Sequence, residues 1–379
     1  MKISTYNLKI FSPFYQMMRE PKVALHEYVY LDFDKEYLYF TCDKSAMKIK
    51  LLIQDKETHN PMFVHGMKFF TMIETSSYVE VKGSTFVTDS GVKFILPSLE
   101  DEIEYPDMLD YELSEDKGKL VFDTNFSRIL RQIIQYTATN ESLVKENIFF
   151  RDGEIVIVSR VRFLKMKVVA SSYGNFVLPY EIAKTISAIN SSDVEKFLSS
   201  AFIEFSVESK QNDDGSSIVK LTSDGFSLIF STSSDMAYPK DIVESEDFRN
   251  VYYDDTQVTV PVGITNEIIT GIKAFNFDAD IIYMKFELVD TDGKKQLCIS
   301  SKESGSYVSH TDIVDTDCEN MKFWISYSEV VMVYSMIKTL KTDNLLIRYK
   351  ENSPVAYFSV PDREDSVVMV HALIDKVEE

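Results

Sequence analysis

Apolar and polar positions in this chain follow two periods that succeed each other in a fixed order. Within residues 62–106 a short strand, Met62-Phe63-Val64, leads into a helix over 66–73. Three alternating segments follow, 78–81, 85–87 and 92–95, separated by turns at Gly83-Ser84 and Ser90-Gly91. A helical period followed by alternation over short runs predicts a helix and then an antiparallel meander. An acidic run over 100–104 closes the stretch at Tyr105-Pro106. The same order returns twice. Phe176-Val177-Leu178-Pro179 leads a helix to Ile189 and a meander that stops at Tyr238-Pro239. Phe323-Trp324-Ile325 leads a helix to Leu340 and a meander that runs to the C-terminus. An internal repeat of this kind decides the architecture before any motif is weighed.

Each repeat also has a front half. The first contains a strand over 2–6, a helix over 8–19, a hairpin of 26–31 with 37–40, and a further strand over 46–53. Pro13 is tolerated only near a helix start, so the helix is expected to begin shortly before it. In the second, a strand over 119–122 precedes Asp123 or Thr124, either of which suits an N-cap. Phe126, Ile129, Leu130, Ile133 and Ile134 then fall on one helical face. Segments 147–150 and 154–158 form a hairpin around Asp152-Gly153, and 163–170 continues the sheet. The third front half has a strand over 257–260, a helix over 264–275, and strands over 281–289 and 296–300 around Asp292-Gly293. The expected fold is α+β: three tandem domains, 1–117, 118–250 and 251–379, each made of two helix-plus-meander half-units. Acidic linkers fall near 107–118 and 240–255.

The length of 379 residues suits two or three domains, and the repeat decides for three. A net charge of −20 argues against a uniformly basic nucleic-acid-binding surface but leaves room for a local one. Cys42, Cys298 and Cys318 are odd in number and scattered, which implies no disulfide framework and fits a reducing compartment. The first residues lack the apolar run of a signal peptide. No stretch approaches the roughly 20 apolar residues of a membrane span. A soluble, cytoplasmic protein is expected.

No catalytic constellation is legible. His26, His59, His65, His310 and His371 have no metal-ligand spacing, and each cysteine reads as a small core residue. There is no Walker loop or dinucleotide-type glycine pattern. The acidic run Glu100-Asp101-Glu102-Glu104 could be read as a metal site, but a solvated linker is the better reading, because neighbouring carboxylates repel and lack a folded ligand spacing. No enzyme activity, cofactor or metal is expected.

Basic residues are more informative. Arg128 and Arg131 lie opposite the apolar stripe of their helix. Lys338 and Lys341 lie on the polar side of the last helix, and Lys273 lies off the stripe of Ile264, Ile268 and Ile272. Lys9, Arg19, Lys22, Lys68, Lys184 and Lys196 belong to the other helical units. Solvated helix faces explain this placement by themselves. The helical segments nonetheless carry about as many basic as acidic residues, so strands, turns and linkers hold nearly all of the negative excess.

The three-fold plan, the acidic composition, residues 62–106, residues 175–189 and the ending Val367-Val368-Met369-Val370-His371-Ala372-Leu373 together resemble the bacterial β-type DNA sliding clamp. The likeness covers nearly the whole chain and is diffuse. Where that family carries Thr-Asp-Gly-His-Arg-Leu, this chain reads Val158-Ser159-Arg160-Val161-Arg162-Phe163. Where it ends Met-Pro-Met-Arg-Leu, this chain has Met369-Val370-His371-Ala372-Leu373 and continues to Glu379. These departures point to a divergent, viral or plasmid-borne member with an altered partner pocket.

The resemblance implies a processivity factor that encircles double-stranded DNA without reading its sequence, tethers a DNA polymerase and is placed by a clamp loader. It implies a homodimer, with domain one of one chain meeting domain three of the other across sheet edges. The six helices would face the duplex, and the basic residues named above would contact phosphates in a salt-sensitive manner. The resemblance further implies a peptide groove walled by Arg162, Phe163, Ile242, Val243, Val368, Met369, Val370, His371 and Leu373. Met369 and Leu373 are expected at or beyond the end of the last strand. The rival reading is a strand-rich viral structural or assembly protein.

Overall fold

A computed structural model describes residues 1–19, 23–42, 44–55, 57–99, 113, 116–138, 147–151, 153–158, 162–167, 172–189, 194, 202–232, 257–275, 282–303, 306–339, 342–349, 355–361 and 363–371. It groups into two compact units. The first comprises Met1–Arg131, Ile148–Gly153 and Val169–Ala237; the second comprises Gln132–Asn147, Glu154–Val168 and Tyr238–Glu379. Among the described residues there are six α-helices: α1 (Tyr6–Met18), α2 (Gly66–Glu74), α3 (Thr124–Ala138), α4 (Tyr180–Ala188), α5 (Val262–Phe275) and α6 (Tyr327–Thr339). Strands make up most of the rest, and the α+β class expected from the two periods holds.

In the first unit, a five-stranded antiparallel sheet runs in the order Leu52–Gln54, Lys2–Ser4, Tyr78–Lys82, Thr85–Thr88, Lys93–Ile95. The meander predicted within 62–106 supplies its last three strands. Gly83 and Gly91 take φ of 61° and 82° at the two turns, conformations open to glycine without a Cβ clash. A second sheet of ten strands joins Tyr28–Asp32, Tyr37–Cys42 and Ser45–Lys50 to Phe226–Thr232, Ser217–Ser223, Phe202–Gln211 and Asp116–Asp123. Its central seam pairs Phe226↔Ile49, Leu228↔Met47 and Phe230↔Ser45. This sheet therefore unites strands from either side of residue 117.

Aromatic side chains seal α1 onto that seam. Phe11 stacks on Phe226 at 4.2 Å between centroids, and Phe14 meets the same ring at 4.8 Å. Tyr15 lies 4.8 Å from Phe70 of α2. A Cβ on Gly66 would run into the Tyr15 ring, so glycine at the start of α2 permits this close approach.

The first helix departs from expectation. It starts at Tyr6, and Pro13 sits in its interior. Proline removes the N–H that would bond the Lys9 carbonyl. The Ser12 hydroxyl donates to that carbonyl at 3.1 Å and supplies a replacement bond. The α3 start follows the expected pattern: Asp123 Oδ1 accepts the Phe126 N–H at 2.6 Å, which makes Asp123 the capping residue. The predicted stripe of Phe126, Ile129, Leu130, Ile133 and Ile134 is buried.

In the second unit, one sheet contains Glu154–Val158, Arg162–Lys167, Arg363–His371, Val355–Val360, Asn344–Tyr349 and Gln257–Pro261 in that order. It unites strands from either side of residue 250. A four-stranded sheet follows the order Ser306–Ile313, Lys294–Glu303, Tyr283–Thr291, Lys322–Ser326. The two pack through Phe286, which stacks on Phe323 at 5.2 Å and meets Phe358 at 6.2 Å. The helix α5 buries Ile264, Ile268, Ile269 and Ile272, while α6 buries Val330, Val333, Met336 and Ile337.

Candidate nucleic-acid interface and partner groove

In the first unit, α1, α2, α4 and the part of α3 up to Arg131 form a connected series. α1 packs against both α2 and α4. α3 is linked to α4 by Arg131, whose Nε donates to the Ser187 carbonyl at 3.1 Å. The order is therefore α2, α1, α4, α3. In the second unit, α5 packs against α6. The six helices carry seven basic residues, Lys9, Lys68, Arg128, Arg131, Lys184, Lys273 and Lys338, against four acidic ones, Glu74, Glu181, Glu267 and Glu329. Their net charge of +3 within a chain of −20 leaves −23 on everything else. The helices are thus the positive part of an acidic molecule.

Burial separates the cations. Lys68, Arg128, Arg131, Lys184, Lys273 and Lys338 are exposed, while Lys9 and Arg19 are half-buried. Arg19 is the C-cap position of α1 and lies close enough to Tyr15 to affect its phenol. Lys338 Nζ sits 5.9 Å from the ring centre of Tyr334, one turn earlier in α6. Lys22, Lys196 and Lys341 lie outside the described residues.

Part of the expected groove is brought together by strand register. Arg162–Lys165 pairs with Val367–Val370 through Arg162↔Val370, Phe163↔Met369 and Leu164↔Val368. On its other side the last strand pairs Tyr357↔Met369, Phe358↔Val368 and Ala356↔Val370. Alternation then assigns these positions to two faces. Phe163, Met369 and Tyr357 share one row. The next row, Leu164, Val368 and Phe358, belongs to the face where Phe358 meets Phe286. Val370 pairs with Arg162 on one side and with Ala356 on the other, and Ala356 pairs with Tyr349.

Two expectations are corrected here. The last strand runs from Arg363 to His371 and is paired on both sides, so Met369 is an interior sheet position and not the strand's end. Phe163 is 1 % exposed and belongs to the core of its sheet, not to an open wall. Tyr357, which sequence reasoning did not single out, is 2 % exposed in the same row, and burial pushes its phenol up to about 12. Ile242, Val243 and Leu373 lie outside the described residues.

Two sheet edges carry exposed apolar side chains. Lys93–Ile95 ends the five-stranded sheet, with Ile95 77 % exposed and Val92 beside it at 51 %. Ser306–Ile313 ends the four-stranded sheet, with Tyr307 and Ile313 each 58 % exposed. The inward side of that second edge is held by α5: His310 Nδ1 lies 3.4 Å from Glu267 Oε2, and Val308 fits against Gly271. An edge with open backbone groups and apolar side chains is a template for another strand.

Solved structures match this chain over nearly its whole length. The DNA polymerase III subunit beta from Pseudomonas aeruginosa superposes with a TM-score of 0.71 at 11 % identity, covering 98 % of this chain and 99 % of that one. The DNA polymerase sliding clamp from Bacillus subtilis gives 0.70 at 13 %, covering 99 % of each. The Helicobacter pylori beta clamp bound to a DNA ligase peptide gives 0.63 at 14 %, covering 98 % and 100 %. The fold is that of the bacterial β sliding clamp. No family model and no curated protein matches the sequence.

The sliding-clamp fold survives here on few shared residues because its determinants are periods and sheet registers. Those tolerate any apolar side chain of suitable size. Among the described residues, no group of three or more His, Cys, Asp or Glu side chains is placed to hold a metal ion. No described helix is long and apolar enough to cross a membrane.

Proposed function

We propose that this protein is a ring-forming DNA sliding clamp, a processivity factor that encircles duplex DNA and holds a replicative polymerase beside it. The observation that carries the reading is the near-complete structural likeness to DNA polymerase III beta subunits. The concentration of positive charge on the six helices adds to it. Three domains, 1–117, 118–250 and 251–379, make a six-domain ring when two chains meet. The exposed edges Lys93–Ile95 and Ser306–Ile313 are suited to pair across that junction. The protein is taken to work in the cytoplasm, where a clamp loader and polymerase act on DNA.

The mechanism is physical and requires no bond-making step. Lys68, Arg128, Lys184, Lys273 and Lys338, with Lys9 and Arg19 at closer quarters to the core, offer phosphate contacts that carry no sequence information. The remaining −23 repels DNA from the other surfaces. A ring around the duplex leaves only along its axis. A polymerase held by even a weak peptide contact then stays at high effective concentration near the primer end. The Helicobacter clamp's complex with a ligase peptide supports such a contact. The row of Phe163, Met369 and Tyr357 lies in the sheet that would border it.

Particle images of the purified protein test the reading. Closed rings with a hole wide enough for a hydrated duplex support it. Shells or open polymers without such a hole would instead favour a strand-rich assembly protein.

A further inference from the structure

Arg128 and Arg131 are both exposed and stand one turn apart on α3. Arg131 donates through Nε to the Ser187 carbonyl. Ser187 is the penultimate residue of α4, and its carbonyl is one of the last four, which have no donor within their helix. Two neighbouring donors are directed at other carbonyls. Ser187 Oγ donates to the Lys184 carbonyl at 2.7 Å, and the Ile189 N–H bonds the Ile186 carbonyl at 3.1 Å. A guanidinium at this end also complements the negative pole of the helix dipole. The backbone around Ser187 is itself buried, with that residue 7 % exposed, so the contact is shielded.

We propose that Arg131 is a positioning residue: it caps α4 from α3 and thereby fixes Lys184 relative to Arg128, two of the cations that meet DNA. This assignment rests on the sliding-clamp reading. It divides labour between residues that composition treats alike. Arg128 and Lys184 neutralise phosphates; Arg131 acts through the α4 backbone. The donor that matters is Nε, bonded to Cδ. Glutamine places an amide nitrogen at the same point of the side chain, also bonded to Cδ, without charge. Arg131→Gln therefore keeps the strut and removes the cation, whereas Arg131→Ala removes both.

The test measures binding of the full-length protein to a fluorescent duplex between about 50 and 200 mM salt, the range over which phosphate contacts are resolved. Arg128→Ala and Lys184→Ala should each flatten the log–log salt slope by about 0.9. Arg131→Ala should leave the slope unchanged and weaken binding roughly two- to twelvefold, the range of one net hydrogen bond. In a Lys184→Ala background it should add nothing, because its effect passes through that side chain. Arg131→Gln should bind as the parent does. Hydrogen exchange at the last turn of α4 should rise in Arg131→Ala and stay at the parent value in Arg131→Gln. A slope reduced by about 0.9 in both Arg131 variants would overturn the assignment and make Arg131 a phosphate contact. If Arg128→Ala and Lys184→Ala also leave the slope unchanged, the DNA surface itself is misplaced and the positioning role falls with it.

Discussion

Replacing Ile95 by Ser should open the proposed ring while leaving the subunit folded. Ile95 is 77 % exposed on the edge strand Lys93–Ile95, so most of its apolar surface remains to be buried by a partner. Full burial of such a side chain contributes about 1.5–3 kcal/mol, which for this remaining share is about 1–2 kcal/mol per junction. A two-chain ring has two junctions and loses both on dissociation, giving about 2–4 kcal/mol. That corresponds to a dimer weakened roughly 30- to 700-fold. Folding should change by only about 0.5 kcal/mol, as for other exposed substitutions. The control is Leu52→Ser, which lies 37 % exposed on the opposite edge strand of the same sheet, Leu52–Gln54. Sedimentation across a concentration series reads both variants. Ile95→Ser should shift toward monomer at concentrations where the parent and Leu52→Ser remain dimeric. An Ile95→Ser protein that dimerises as tightly as the parent would show that this edge does not close the ring.

Phe226→Ala should destabilise the first unit by about 3–5 kcal/mol, since it empties the site where Phe11 and Phe14 converge on the sheet seam; denaturant unfolding measures it. Deleting residues 372–379 should leave the dimer intact and weaken binding of a polymerase-derived peptide. Extending the deletion to Val370 should also lower stability, because Val370 pairs with both Arg162 and Ala356. Equal peptide binding before and after the shorter deletion would place the partner site elsewhere. Burial raises the phenols of Tyr15 and Tyr357 to about 12 from the ordinary 10.0. Their folded-state values exceed the unfolded ones, so this contribution is complete below pH 10 and is lost as pH rises from 10 toward 12. Tyrosinate absorbance followed beside circular dichroism should show these two phenols ionising only as the fold is lost.

Much of the fold was legible because burial imposes a period on the sequence. The α3 stripe from Phe126 to Ile134 and the Asp123 cap follow from spacing and side-chain chemistry alone. The meander after Tyr78 follows from alternation and its glycine turns. Partner choice between strands was not legible. Alternation states which face a residue takes but not which strand lies beside it. The seam of Phe226–Thr232 with Ser45–Lys50 joins segments some 180 positions apart, and the last strand pairs with Arg162–Lys167 across a similar gap. Pro13 misled because the Ser12 hydroxyl compensates the lost N–H, a bond that no propensity encodes. The basic helix faces were legible as charge, yet the bond from Arg131 to the Ser187 carbonyl was not, because it joins two helices some 56 positions apart. Phe163 read as a groove wall by resemblance, whereas its burial makes it a core residue.

The central claim is topological, and a linear duplex with closable ends tests it most directly. The protein is incubated with DNA whose ends are open, both ends are then capped by a bulky protein, and retention is measured in high salt that removes surface contacts. A sliding clamp should stay on the capped DNA, leave within the mixing time once one cap is cut away, and fail to load when the caps are added first. Equal retention on capped and uncapped DNA, or loss from both in high salt, would contradict encirclement.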